Sequence, residues 1–336
     1  MYLNANSRII IGTLRFESVN TVEITESVRE LDNKCQITLP RNFVKKGEKG
    51  VTDFIKRKDK VKVELGYNGN YHTEFEGYVD VIGSTTPLVV ECDGVWFPHK
   101  QNNLLKSFPQ ATLKEVLQFA FPDYKIDCPD VKMGKFLIQN TSSYGVIKGI
   151  KDTVGFYAKI DEEAKTITGY FPYSPTKYET YFYVFGTYNE TKIAELHTRN
   201  LSPNIKKNSL KFKKRDELKI ALTAKALQTD GKTLKVTVGS TEKDAEKRTR
   251  NYGNQIKTEK ELREAAERDL ARWSYDGYTG DITGFGVPRT HAGDTLTIVD
   301  VENPEREGNY LVEKVKIKYS ADSAIYERVN TLSFKI

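Results

Sequence analysis

The chain has 336 residues, a net charge of 52 − 46 = +6 and an aromatic content of 11%. That length suggests two or three domains with real cores, the aromatics exclude wholesale disorder, and no run approaches the roughly 20 apolar residues that span a bilayer. The charge permits an acidic partner without demanding nucleic acid.

The N-terminus has no basic segment followed by an apolar one, so no secretory signal is expected, and the chain is expected to fold in the cytosol where it is made. In chain order, the first hundred residues predict strands at Arg8–Ile11, Phe16–Glu26 and Lys34–Leu39. Lys60–Leu65 alternates cleanly, with Val61, Val63 and Leu65 on one face and Lys60, Lys62 and Glu64 on the other. Period two is the pattern of a half-buried sheet. Tyr67-Asn68-Gly69-Asn70 supplies a hairpin turn, and strands Thr73–Ile82 and Leu88–Cys92 follow. Many short strands at this spacing suggest a barrel or sandwich.

Residues 103–190 change character. Thr112 and Glu115 form a capping box. It opens a helix with Leu113, Val116, Leu117 and Ala120 on one stripe, stopped by Pro122. A second helix is expected from Ser143, carrying Ile147, Ile150 and Val154 with Gly155 as its C-cap. Phe156–Ile160 and Thr166–Tyr170 read as a hairpin about the turn 161–165. From about 191 strands return, with Leu218–Leu227 and Thr233–Val238 flanking the turn 228–232. Residues 240–257 read as loop. A second capping box, Thr258 and Glu261, opens a helix with the stripe Leu262, Ala266, Leu270 and Trp273. Four or five strands close the chain over 278–336. Asp59-Lys60-Val61 leading to Gly77-Tyr78-Val79, and Asp294-Thr295-Leu296 leading to Gly308-Asn309-Tyr310, suggest a weak internal repeat.

Residues able to do chemistry are scattered. His72, His99, His197 and His291 lie in four local contexts, and no metal-binding spacing joins them. Cys35, Cys92 and Cys128 contain no CxxC pair and read as small buried hydrophobes. No nucleophile elbow or phosphate loop is present, and Gly284-Phe285-Gly286 reads as turn or bulge glycines. Asp161-Glu162-Glu163 and the pair Glu302 and Glu305 read as solvated turn acids rather than a carboxylate dyad. The run Lys206 to Arg215 interleaves Leu210 and Phe212 with cations. It reads first as a blunted sheet edge, with room for an acidic partner, and second as a phosphate-binding strip. Trp96 and Trp273 suit core anchors or interface hot spots.

The C-terminal third carries a resemblance. An Arg-containing helix, Leu262–Trp273, precedes the strand Tyr278 to Pro288 with its glycines. Then come Ala292-Gly293-Asp294, the strand Gly308 to Val315 and a last strand, Val329–Ile336. Together with Phe75–Ile82 and Leu88–Asp93, this order resembles the late control gene D family, the baseplate hub proteins of contractile phage tails, and also the hub portion of type VI secretion spike proteins. The resemblance implies a mainly β fold with an α+β insertion: two tail-tube-like β-barrels, over 1–102 and 191–336 (the latter including helix 258–273), flanking or surrounding a small α/β domain over 103–190. It implies a structural hub, not an enzyme, without catalytic residues, cofactor or metal. The expected partners are two further copies of the chain in a homotrimer, a tail tube protein, a central spike protein and other baseplate proteins. Membrane insertion and nucleic acid are not expected. The expected location is the virion tail baseplate, assembled in the bacterial cytoplasm. The chain ends just after the last strand, with no lysozyme module or β-helix needle, so a separate spike protein is expected. The runner-up reading, from aromatic clusters at 170–173 and 178–185, is a glycan-binding or glycan-cleaving tail module.

Overall fold

The computed structural model describes residues 3–40, 54–128, 132–154, 156–170, 179–217, 219–228, 232–252 and 256–336. Gly155, most of the turn 228–232 and the aromatic segment 171–173 lie outside the described residues. The chain is mainly β. It divides into two compact units, one of Met1–Phe97, Tyr178–Phe212 and Gly277–Ile336, the other of Pro98–Lys177 and Lys213–Asp276.

The first unit holds one continuous 14-stranded sheet. Within it are two sets of six strands. In chain order the first set is Ala5–Ile11, Thr21–Ser27, Lys34–Leu39, Lys60–Tyr67, Asn70–Ile82 and Leu88–Asp93. The second is Thr180–Val184, Ile205–Asn208, Gly277–Phe285, Thr295–Val299, Gly308–Ser320 and Ile325–Lys335. Numbered within its own set, each has the spatial order 1-4-5-6-3-2. The sets differ at one pairing. Strands 1 and 4 are antiparallel in the first set and parallel in the second.

The likeness reaches single hydrogen bonds. Before strand 4 of the first set, the Lys56 N–H donates to Asp59 Oδ2 at 2.7 Å, and the Asp59 N–H donates to the Lys56 carbonyl. Before strand 4 of the second, the His291 N–H donates to Asp294 Oδ2 at 2.7 Å, and the Asp294 N–H donates to the His291 carbonyl. The Asp59 carbonyl accepts from Val79, and the Asp294 carbonyl from Val312. Lys58 and Gly293 take the same place, with φ of 78° and 101°. The repeat expected from sequence therefore starts at Asp59 and Asp294, and its strands correspond. The two glycines do not: Gly77 lies opposite Val61, far from the turn, whereas Gly308 lies opposite Ile298 beside it. The position matching Gly77 is Tyr310.

Alternation builds the core. Val61, Val63 and Leu65 are buried while Lys60, Lys62 and Glu64 face outward, and Val315, Ile317 and Tyr319 repeat the pattern. Asn68 and Gly69, with φ of 52° and 83°, make the tight hairpin turn. Strand 5 of the second set divides one edge between both sets. Its start pairs with Thr295–Ile298, and its remainder, Lys314–Ser320, pairs with Thr21–Ser27 of the first. The ends of the second set are stitched at Asn204. Its Oδ1 accepts from the Val184 N–H at 2.8 Å, and its Nδ2 donates to the Phe182 carbonyl at 2.9 Å.

The second unit carries the pair Leu104–Thr112 with Lys132–Thr141, the three strands Lys125–Asp127, Tyr157–Asp161 and Thr166–Tyr170, and the three strands Ile220–Leu227, Thr233–Gly239 and Glu246–Asn251. Both capping boxes form, at the starts of α1 (Leu113–Ala120) and of the helix Glu259–Trp273. Between them lie α2 (Ser143–Val154) and α3 (Glu190–Thr198), so Glu259–Trp273 is α4. Helix α3 belongs to the first unit. It was not expected from sequence, because only Leu196 on it is buried. The sequence predicts loop at Glu246–Asn251, whereas the structure has a strand there, pairing parallel to Ile220–Lys225. It is an edge strand with no buried residue, so no apolar alternation marks it. Helix α4 packs on Ile220–Leu227 and Thr233–Gly239 through Leu262 and Ala266. Leu270 is only half-buried, beside Gly239.

Candidate functional site

The densest chemistry in the first unit is a buried polar cluster between the two strand sets. Glu74 comes from strand 5 of the first set. Tyr326, Arg328 and Asn330 come from strand 6 of the second, and the segment 286–291 supplies backbone carbonyls and side chains. Alternation along Ile325–Lys335 would place apolar residues inward, yet Arg328 and Asn330 are fully buried. Buried polar groups of this kind must find partners.

They do. Arg328 Nε donates to the Gly286 carbonyl at 2.8 Å, Nη1 donates to the Thr290 carbonyl at 3.0 Å, and Nη2 donates to Glu74 Oε2. Glu74 Oε1 accepts from the Tyr326 hydroxyl at 2.8 Å and from Arg289 Nε at 2.9 Å. The Tyr67 hydroxyl donates to the Tyr326 carbonyl and accepts from the Gly286 N–H at 3.1 Å. Thr290 Oγ1 donates to Asn330 Oδ1 at 2.6 Å, and Asn330 Nδ2 donates to the Tyr183 hydroxyl at 2.9 Å. A Cβ on Gly286 would lie 2.2 Å from the Tyr326 ring. Close packing, not a phosphate, is what requires that glycine. Burial pushes the Tyr326 hydroxyl up, and the Glu74 charge adds to it. Burial pulls the Arg328 guanidinium down, but Glu74, together with Tyr326 and Glu26, more than restores it. This guanidinium is bound through all three of its nitrogens, has no solvent-exposed face and ties the strands together.

At the edge of this cluster His291 Nδ1 lies 3.1 Å from a Glu26 carboxylate oxygen. That bond raises the imidazole above its usual 6.5, against the opposing effect of burial.

The other histidines stay apart. His72 is exposed on Asn70–Ile82 and His197 is exposed on the last turn of α3. His99 joins a small cluster in the second unit, where its Nε2 lies 3.2 Å from Glu162 Oε1. The Tyr124 hydroxyl donates to Glu162 at 2.9 Å and Lys165 Nζ donates to it at 2.8 Å. Glu162 is thus not a merely solvated turn acid. Burial pushes its carboxyl up, but hydrogen bonds from Lys165, Tyr124 and His99 outweigh burial and leave it lowered. Its neighbours had no sequence signal, since Tyr124 and His99 arrive from separate segments. Cys35 and Cys92 are buried, directly opposite on paired strands, and Cys128 is half-buried. Among the described residues no group of three or more His, Cys, Asp or Glu could hold a metal.

The basic run forms the strands Ile205–Asn208 and Lys211–Lys213 along one edge of the large sheet, both pairing with Gly277–Phe285. Lys206 and Lys207 both reach the buried Glu327, so part of the charge is spent internally. Trp96 is 1% exposed and Trp273 7%, and both are core anchors.

No family model matches the chain, and no curated protein matches it in sequence. Solved structures do match its fold. A tail protein from Neisseria meningitidis aligns over 98% of this chain and 96% of its own, with a TM-score of 0.63 at 11% identity. The 43 kDa tail protein of prophage MuSo2 from Shewanella oneidensis aligns over 97% and 96%, with a TM-score of 0.60 at 14% identity. An E. coli type VI secretion component, reported as similar to the T4 bacteriophage tail proteins gp27 and gp5, aligns over 98% and 77%, with a TM-score of 0.55 at 9% identity. The fold is that of phage tail proteins and their secretion-system counterparts, as the resemblance in sequence implied.

Proposed function

We propose that this chain is a structural hub of a contractile phage tail baseplate, or of a related injection machine, which adapts a sixfold tail tube to a threefold spike. The observation that carries this reading is the duplicated strand set. Two six-stranded sets with the order 1-4-5-6-3-2 occur in one chain, down to matched hydrogen bonds at Asp59 and Asp294. In this reading each set is a tube-like barrel, and three chains present six of them in a ring. Closed cyclic symmetry satisfies every copy's contact surface without propagating a filament.

The second unit is inserted in sequence, between the two sets and again between strands 2 and 3 of the second set. In the first set that second connection spans only residues 28–33. In this reading the hub is structural and has no catalytic role, and the buried Arg328–Glu74 pair serves to tie the two strand sets together. It assembles in the cytoplasm and resides in the tail baseplate, with a tube protein on one side and a spike protein on the other. Co-expression with the tube and spike proteins of the same tail, followed by capture on a tagged copy of this chain, tests the reading. Recovery of both in a stable complex is expected. Recovery of neither, with the chain folded, would remove it.

A further inference from the structure

The sheet under α4 has a second face, and its side chains are sorted. Thr223 is the register partner of both Thr237 and Thr249, so three threonines stand side by side across three strands. The Thr223 and Thr237 hydroxyls lie 3.4 Å apart. Two residues along the strands in one direction, Lys247 sits opposite Ala221. Two residues along in the other, Lys225 sits opposite Lys235. Lysine is the sole ionisable residue type in these three rows, and none of the three lysines forms a salt bridge among the described residues. Asn251, at one corner, is held by the Asp152 carbonyl at 3.4 Å. The helix-facing side of Glu246–Asn251 contrasts with this: Arg250 is paired with Asp269 at 3.0 Å, and Arg248 lies over the Trp273 ring at 5.2 Å.

Like charges placed directly opposite on adjacent strands are destabilising. Lys225 against Lys235 is such a pair, and an anion between them relieves it. We propose that this face docks on the phosphate backbone of duplex DNA, an inference that does not rest on the hub reading. Lysines and threonine hydroxyls are both donors to phosphate oxygens. The lysine rows lie four residues apart along Ile220–Leu227, about 13 Å at strand rise, close to the roughly 12 Å between the phosphate rows that border a major groove. A single strand meets both rows only by laying successive phosphates across them, whereas a duplex already holds two phosphate rows at that spacing. The rows contain no aromatic ring, so they lack the stacking platform that single strands use. Sequence alone hid this face, because its lysines come from three segments and the net charge is small.

The test is fluorescence anisotropy of a labelled 30-base-pair duplex titrated with the whole chain between 50 and 200 mM salt. Three neutralised phosphates give a log–log slope of about −2.7, or about 40-fold weaker binding across that range. Lys225→Gln/Lys235→Gln/Lys247→Gln should abolish this slope. The exposed single change Lys235→Gln should reduce it by about one, and keeps the test alive if the triple variant unfolds. Lys211→Gln/Lys213→Gln/Lys214→Gln, on the other basic edge, should leave it unchanged. The proposal is overturned if wild type does not bind at 50 mM salt, or if Lys235→Gln leaves affinity and slope untouched. It is overturned equally if single-stranded DNA or poly(glycerol phosphate) competes as well as the duplex.

Discussion

Arg328 and Glu74 are 254 residues apart in sequence and form an ion pair in which both side chains are fully buried. One belongs to the last strand of the second set and the other to the fifth strand of the first, so this pair is a direct side-chain tie between the two copies of the duplicated fold. Glu74→Gln leaves the Arg328 guanidinium as a buried charge without its carboxylate, which costs about 3–5 kcal/mol in chemical denaturation. Arg328→Met should cost less, because Glu74 keeps its ion pair with Arg289. The double variant should recover part of the Glu74→Gln loss. If the single changes are neutral, the pair does not hold the sets together.

Lys58 occupies the left-handed region at φ 78°, where its structural counterpart is Gly293 at 101°. A side chain there costs about 1–2 kcal/mol, and glycine gives back about 0.5–1 kcal/mol through chain entropy. Lys58→Gly should therefore raise stability by about 0.5–1 kcal/mol, and Gly293→Lys should lower it. Thermal melts of both variants check the pair, and equal signs would contradict the correspondence between the two turns.

His291 has its pKa raised from 6.5, first by the hydrogen bond with Glu26. Arg328, Glu74 and Asp294 also surround it, and Arg328 opposes the rise. A histidine raised on folding contributes its full stabilisation below its unfolded pKa, near 6.5, and loses it as pH climbs through the folded value. Unfolding free energy should fall as pH rises from about 6 toward 8. His291→Asn should flatten that decline, by less than about 1 kcal/mol because the ring is partly exposed. An undiminished decline in the variant would assign it to another group.

On α4, Leu262 is fully buried against the sheet while Leu270 is only half-buried. Leu262→Ala should cost about 2–5 kcal/mol, with Leu270→Ala costing less and Glu264→Ala near neutral. Melting points that fail to separate Leu262 from Glu264 would contradict this packing.

How much was legible follows from which forces are local. The Lys60–Leu65 alternation, the Asn68-Gly69 turn and the capping boxes at Thr112 and Thr258 each depend on residues within a few positions, and each formed as expected. The Phe16–Glu26 run did not hold as one strand. It breaks after Phe16 and resumes at Thr21, because Leu14–Phe16 folds back on Ala5–Ile11. Helix α3 carries its N-cap, Asn189, in plain sight but only one buried residue, so no stripe announces it. The strand Glu246–Asn251 is wholly polar outside the core. Glu74 and Arg328 read as two ordinary charges until distant strands bring them together. The repeat is legible at Asp59 and Asp294, where an Asp precedes an alternating strand, but its glycines mislead, because only the strand register shows Gly77 opposite Val61 and Gly308 opposite Ile298.

The central claim is that two strand sets per chain serve a ring of six. Such a ring closes with three chains, 3 × 38.3 kDa or about 115 kDa, across interfaces of at least about 1,000 Å². Light scattering coupled to gel filtration, on the chain at micromolar concentration with and without its spike protein, measures this directly. The account predicts about 115 kDa for the hub component. A stable dimer or hexamer, with no trimer under either condition, would contradict it.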